Sequence, residues 1–105
     1  MTPEGRVKAD IKKYLNSQEC WYYMPIQNGM GMVGIPDIIV CYQGYFVAIE
    51  CKAPGKEDTL TPNQRRHLEN ITRSQGCVVV ATNVEQVRSL LESLNADLQG
   101  VYSDS

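Results

Sequence analysis

With 105 residues, 43% of them hydrophobic, the chain has material for one globular core and none for a separate substrate domain. No apolar run approaches the roughly 20 residues that a membrane-spanning helix requires, and the charged segment from Glu4 to Lys13 lacks a signal-peptide core, so a soluble, cytoplasmic, single domain over 1–105 is expected. The net charge of −2 excludes a uniformly basic duplex-binding surface and leaves any nucleic-acid contact to the local distribution of charge.

Thr2-Pro3, followed by Val7, Ile11 and Leu15 at helical spacing, predicts a capped amphipathic helix to about residue 18. Glu4 lies in its first turn, on the edge of the apolar side. Stabilisation of the helix dipole accounts for it there, and so does a place in a functional site. Trp21 to Ile26 predicts a first strand. Gln27 to Gly34 is a loop with three glycines, too irregular for a phosphate-binding motif. It is flexible by default, and its place just before Asp37 would let it move as a substrate enters. Pro36 restricts Ile35 to extended geometry and fixes the approach to Asp37.

Asp37 to Tyr42 and Tyr45 to Lys52 are rich in Ile, Val, Tyr and Phe and are joined by Gln43-Gly44, the signature of a two-residue hairpin. If Tyr42 faces Tyr45, Ile39 faces Ala48 and Asp37 faces Glu50. Alternation along the strand puts Glu50 and Lys52 on one face and Cys51 on the other. Asp37, Glu50 and Lys52 therefore converge. Opposed carboxylates destabilise a sheet unless a cation lies between them, and a hard divalent ion suits oxygen ligands better than one lysine does. A salt-bridged strand end is the plainer alternative. The apolar flanks, Ile38 to Cys41 and Phe46 to Ile49, predict strands buried on both faces, where charged groups have a specific task.

Ala53 to Leu60 is a charged loop. Thr61-Pro62-Asn63-Gln64 opens a second helix that Gly76 ends, and Thr61 with Gln64 has the spacing of a capping box, which by itself accounts for Gln64. His67, the only histidine, receives no role. Lys52, Lys56, Arg65, Arg66 and Arg73 could face phosphate, or simply form a solvated face with Glu57, Asp58 and Glu69. Cys77 to Ala81 predicts a short buried strand and Val84 to Leu94 a third amphipathic helix, giving a core over about 2–94 and a poorly packed tail over 95–105. Cys20, Cys41, Cys51 and Cys77 form no C-x-x-C pair and are expected as buried thiols in a reducing compartment, with no zinc site. The order αβββαβα predicts an α/β fold with a mixed central sheet flanked by helices.

Glu4, Gly34-Ile35-Pro36-Asp37, Glu50-Cys51-Lys52 and Leu60-Thr61-Pro62-Asn63-Gln64, in that order, resemble the VRR-NUC branch of the PD-(D/E)xK nucleases over about residues 2 to 90. D…ExK alone is weak; Gly-x-Pro-Asp ahead of it, Lys-x-Pro after it and Thr-x-x-Gln at the next helix make the pattern specific. The resemblance implies a restriction-endonuclease-like αβββαβ core, with Asp37 and Glu50 as catalytic acids, Lys52 as the lysine, and Glu4 and Gln64 as the family's helix residues. Joined to the hairpin geometry, it implies that Asp37, Glu50 and the backbone carbonyl of Cys51 hold one Mg²⁺ or Mn²⁺. Glu4 would help to hold a second ion or a metal-bound water, Lys52 would orient or help to deprotonate the attacking water and stabilise phosphate charge, and Gln64 would position Lys52 or the water. Stand-alone relatives of this size are similar to bacterial and phage enzymes that cut four-way (Holliday) junctions as homodimers. A flap-cleaving or nonspecific nuclease and a noncatalytic DNA-binding accessory protein are the alternatives; a metal-binding regulatory domain without nucleic acid would leave Lys52 and the basic stretch unexplained.

Overall fold

The structure, a computed structural model, describes residues 1–26 and 32–103, with side chains as far as residue 96. The elements run α1 (Pro3–Asn16), β1 (Trp21–Tyr23), β2 (Ile38–Tyr42), β3 (Tyr45–Cys51), α2 (Pro62–Arg73), β4 (Cys77–Ala81) and α3 (Val84–Ser103). They form one four-stranded sheet in the order β1-β2-β3-β4. β1, β2 and β3 are antiparallel neighbours, whereas β4 returns parallel to β3 after the α2 crossover. The expected α/β order with a mixed sheet is therefore what the chain adopts.

Local chemistry sets the boundaries. Thr2 caps α1 by accepting the Gly5 N–H at 3.0 Å, with proline in the first turn. Gln43 and Gly44 both have positive φ, 50° and 87°, which is the type I′ geometry that an antiparallel hairpin favours and that glycine makes easy. Tyr42 pairs with Tyr45 and Ile39 with Ala48, in the register read from the sequence. The backbone ladder stops at Ile38 and Ile49, one pair short of Asp37 and Glu50.

The two faces of the sheet differ. On one, Ile38, Val40, Tyr42, Val47, Ile49, Cys51 and Ala81 pack with Val7, Ile11 and Leu15 of α1 and with Val87, Leu91 and Leu94 of α3. This is the main core, and each fully buried Ile or Leu in it contributes about 1.5–3 kcal/mol. The other face carries Ile39, Cys41, Phe46, Ala48 and Glu50, and α2 lies against its β4 side through Leu68.

That asymmetry corrects three expectations. β2 and β3 are not buried on both faces throughout: Cys41 is exposed, as is Phe46, beyond the cover of α2. Cys20 and Cys77 are half-buried and only Cys51 is fully buried, although all four cysteines are free thiols. β4 is half-buried over Cys77 to Val80 because it is an edge strand, with no further strand beside it. Element ends also differ. β1 stops at Tyr23 rather than Ile26, and α1 at Asn16 rather than residue 18, where Ser17 and Gln18 turn back on Tyr14 and Leu15. α3 continues past Leu94 to Ser103, since Asn95 to Gln99 contains no proline or glycine to stop it. The packing of the tail beyond residue 96, and residues 27–31 of the glycine loop expected to move, lie outside the described residues. Among the described residues no helix is long and apolar enough to cross a membrane.

Candidate active site

Asp37, Glu50, Lys52 and Gln64 meet at the end of the sheet where β3 finishes and β2 begins. Asp37 stands just before β2, and its Oδ2 accepts the Cys51 N–H at 2.8 Å. Its side chain thus continues the pairing that the backbone ladder drops, which locks the carboxylate against β3. Oδ1 is 3.3 Å from the Lys8 ammonium. Glu50 is only 3% exposed and forms a carboxyl–carboxyl hydrogen bond with Asp37. Burial, then the Asp37 charge and this bond, push its pKa up to about 8, while Lys52 acts in the opposite direction. In the metal-free protein Glu50 therefore holds its proton at neutral pH.

Lys52 is 8% exposed, and its ammonium donates to Gln64 Oε1 at 3.1 Å and to the Thr59 carbonyl at 3.4 Å. Among the described residues no ion pair joins it to either carboxylate. Gln64 is the hub. Its Oε1 also accepts the Thr61 N–H at 2.9 Å, and Thr61 Oγ1 in return accepts the Gln64 N–H, which completes the capping box. Its Nε2 donates to Glu50 Oε2 at 3.2 Å. The capping and site readings of Gln64 are compatible because one amide performs both tasks.

The segment ahead of Asp37 explains how α2 reaches the carboxylates. Gly34 has φ of +84°, and a Cβ there would lie 2.7 Å from Asn63 and from the Gln64 nitrogen. His67, three residues along α2, donates from Nε2 to the Val33 carbonyl at 3.1 Å, so it ties this segment to the helix. Gly34→Ala should lower stability by about 1–3 kcal/mol and slow turnover together, because both the backbone conformation and the contact forbid a side chain. A urea melt alongside a cleavage assay checks this; unchanged values in both would place α2 elsewhere.

The remaining expected residues are placed as follows. Glu4 is exposed on the first turn of α1 and does not complete a tight cluster, yet its charge helps to raise the Glu50 pKa. Among the described residues no group of three or more His, Cys, Asp or Glu side chains is assembled for a metal. The Cys51 thiol is buried on the opposite face, with its pKa pushed up to about 12 mainly by burial, and is inert. Arg65, Arg66 and Lys56 are exposed, and Arg73 lies 3.9 Å from Glu69, so the basic stretch is not one continuous patch. Lys8 was not singled out by sequence; the available signal was its position one turn after Glu4, on the same side of α1. Lys8 of α1 and Gln64 at the start of α2 thus reach the same end of the sheet.

The residues fit a hard divalent cation: a buried carboxyl held protonated against a second carboxylate offers oxygen ligands whose repulsion such an ion would relieve. A mixed αβββαβ core with an acid before one strand and Glu-x-Lys at the end of the next is consistent with the PD-(D/E)xK class of nucleases. The family model described as VRR-NUC domain matches residues 26–86, and the chain belongs to that family. Two solved structures share the fold. One, described as a VRR_NUC domain, is 24% identical with a TM-score of 0.65, over 88% of this chain and 97% of that one. The other, described as a VRR_NUC domain protein, is 19% identical with a TM-score of 0.61, over 85% and 84%. No curated protein matches the chain.

Proposed function

We propose that this protein is a divalent-metal-dependent, structure-selective DNA endonuclease whose preferred substrate is a four-way junction, cut by a homodimer. The observation that carries it is the contact between Glu50 and Asp37, beside a buried lysine held by Gln64. A protein that only binds DNA gains nothing from two adjacent acids that repel phosphate.

Asp37, Glu50 and the backbone carbonyl of Cys51 would hold Mg²⁺ or Mn²⁺, with Glu4 at the rim available to a second ion. When bound, such an ion supplies Lewis-acid polarisation of the phosphate and lowers the pKa of water. The side chains do the rest. Lys52, desolvated and aimed by Gln64 and the Thr59 carbonyl, stabilises negative charge developing on the phosphate and orients the attacking water. Gln64 holds the lysine and the Glu50 carboxyl in one fixed relation. Lys8 offsets the Asp37 charge while no metal is present. Symmetric incision of a junction requires two such sites related by a twofold axis, which supports a dimer.

The test is cleavage of a labelled four-way junction beside flap and linear duplex DNA, with Mg²⁺, Mn²⁺ or EDTA, comparing wild type with D37A. Paired, symmetric, metal-dependent nicks that vanish in D37A are expected. Cutting of flaps alone would replace the substrate and keep the site. A D37A protein that cuts at the wild-type rate would sink the assignment.

A further inference from the structure

The sheet face that carries Glu50 also carries aromatic rings that are about half exposed or more. Trp21, Tyr23, Cys41 and Phe46 all point to this face, since Trp21 pairs with Cys41, Cys41 with Phe46, and Tyr23 with Ile39. Trp21 is 62% exposed, Tyr23 51% and Phe46 47%. The Trp21 and Tyr23 rings are nearly parallel, 21° apart in plane with centroids at 6.3 Å. Large rings left in water on the open half of a sheet are unusual for a chain with only one tryptophan and one phenylalanine.

We propose that Trp21 and Tyr23 form a stacking shelf for unpaired DNA bases next to the scissile phosphate. The inference deepens the nuclease reading and rests on it. Sheet geometry sets the reach. Tyr23 pairs with Ile39, two residues from Asp37, so with about 3.3 Å per residue and about 4.8 Å between strands its Cα lies about 8 Å from that of Asp37 and about 12 Å from that of Glu50. A strand whose phosphate sits at the carboxylates can therefore lay a neighbouring base on the shelf. Inside a duplex both faces of each base are already stacked; only a branch point, gap or single strand offers a free face. The shelf thus selects for distorted DNA through chemistry.

Stacking also answers the charge question. A chain of net charge −2, with its basic residues dispersed, gains little from counterion release, whereas base stacking supplies affinity that salt does not screen. A second copy of the chain seated on the same rings would stand across the face by which DNA reaches Glu50 and Lys52. The substrate is the occupant compatible with the site.

Trp21 is the sole tryptophan, so its fluorescence reports the shelf directly. The experiment titrates oligothymidylate, a gapped four-way junction and a linear duplex into wild type, D37A and the double variant W21A/Y23A. All titrations are run in EDTA so that cleavage plays no part, with fluorescence anisotropy of the DNA measured in parallel. Unpaired DNA should quench Trp21 in wild type and D37A alike. The double variant should bind unpaired and gapped DNA about tenfold or more weakly, with duplex affinity and circular dichroism unchanged. DNA binding without quenching, or equal affinity in the double variant, overturns the shelf while leaving the nuclease assignment standing. A W21A/Y23A protein that changes from dimer to monomer in light scattering also overturns it, because the rings would then be a self-association surface. Quenching by a protein that cuts nothing in the metal assay would retain the shelf and discard the nuclease.

Discussion

Glu50→Gln should abolish cleavage, by at least about a thousandfold, and at the same time make the metal-free protein more stable than wild type at pH 8. The two effects have one origin. Glu50 is buried beside Asp37 with a pKa of about 8, far above the 4.5 it has when exposed. Between those values the folded protein binds a proton that the unfolded chain has released. Stability from this group is therefore greatest below about pH 4.5 and declines as pH rises towards 8, when the buried acid must ionise. The groups facing it are Asp37 and Glu4, which oppose ionisation, and Lys52, which favours it. With about 1.4 kcal/mol per pKa unit, the metal-free wild type should lose roughly 2–4 kcal/mol between pH 5 and 8.5, a fall in Tm on the order of 10 °C.

An amide in place of the carboxyl carries no proton to lose, so thermal melts of E50Q in EDTA should be nearly flat over the same range. Millimolar Mg²⁺ or Mn²⁺ should restore much of the wild-type loss at pH 8.5, because an ion that binds only the folded, ionised site stabilises it by mass action. E50Q should show no such recovery. A wild-type Tm that is independent of both pH and metal would mean that Glu50 is neither desolvated nor a ligand.

The parts of this site that were legible in the sequence are those fixed by strand periodicity. Alternation and a two-residue turn were enough to place Asp37, Glu50 and Lys52 at one end of the hairpin and to turn Cys51 away, because the period of a strand leaves no freedom once the turn is set. The cap at Thr61 and the helix following it were likewise local. What sequence spacing could not supply was the third dimension. Lys8 meets Asp37 only because α1 packs across the sheet, and a helix carries no local mark of the strand end it will reach. Gly34 is marked in the sequence as part of Gly-x-Pro-Asp, but its need for φ > 0 and for close approach to Asn63 appears only once α2 is docked. The exposure of Cys41 and Phe46 had the same cause: apolar runs predict burial, but how much of a face one helix covers depends on packing. α3 continues beyond its expected end because Asn95 to Gln99 contains no proline or glycine, while the apolar stripe that traces it fades.

Gln64 allows a sharper separation of structure from chemistry, since its Nε2 takes no part in the cap. Oε1 serves the cap by accepting the Thr61 N–H and serves the site by accepting from Lys52; Nε2 serves only the site, by donating to Glu50. Gln64→Ala removes all three side-chain hydrogen bonds but keeps the backbone N–H to Thr61 Oγ1, and should cost about 1 kcal/mol of stability through the cap and about 10–100-fold in kcat through the loosened lysine. Gln64→Glu keeps an oxygen for Thr61 and for Lys52 but replaces the donor to Glu50 with a third acid. Its stability at pH 6 should stay much closer to wild type than that of the alanine variant, while kcat falls as far or further, because the new carboxylate repels Glu50 and draws Lys52 away from the phosphate. KM for the junction should change little in either variant, since neither removes a group on the binding face. Chemical denaturation and single-turnover cleavage, run on both proteins, separate the two contributions. If Q64E cuts as fast as wild type, the amide is only a helix cap, and Lys52 must be positioned without it.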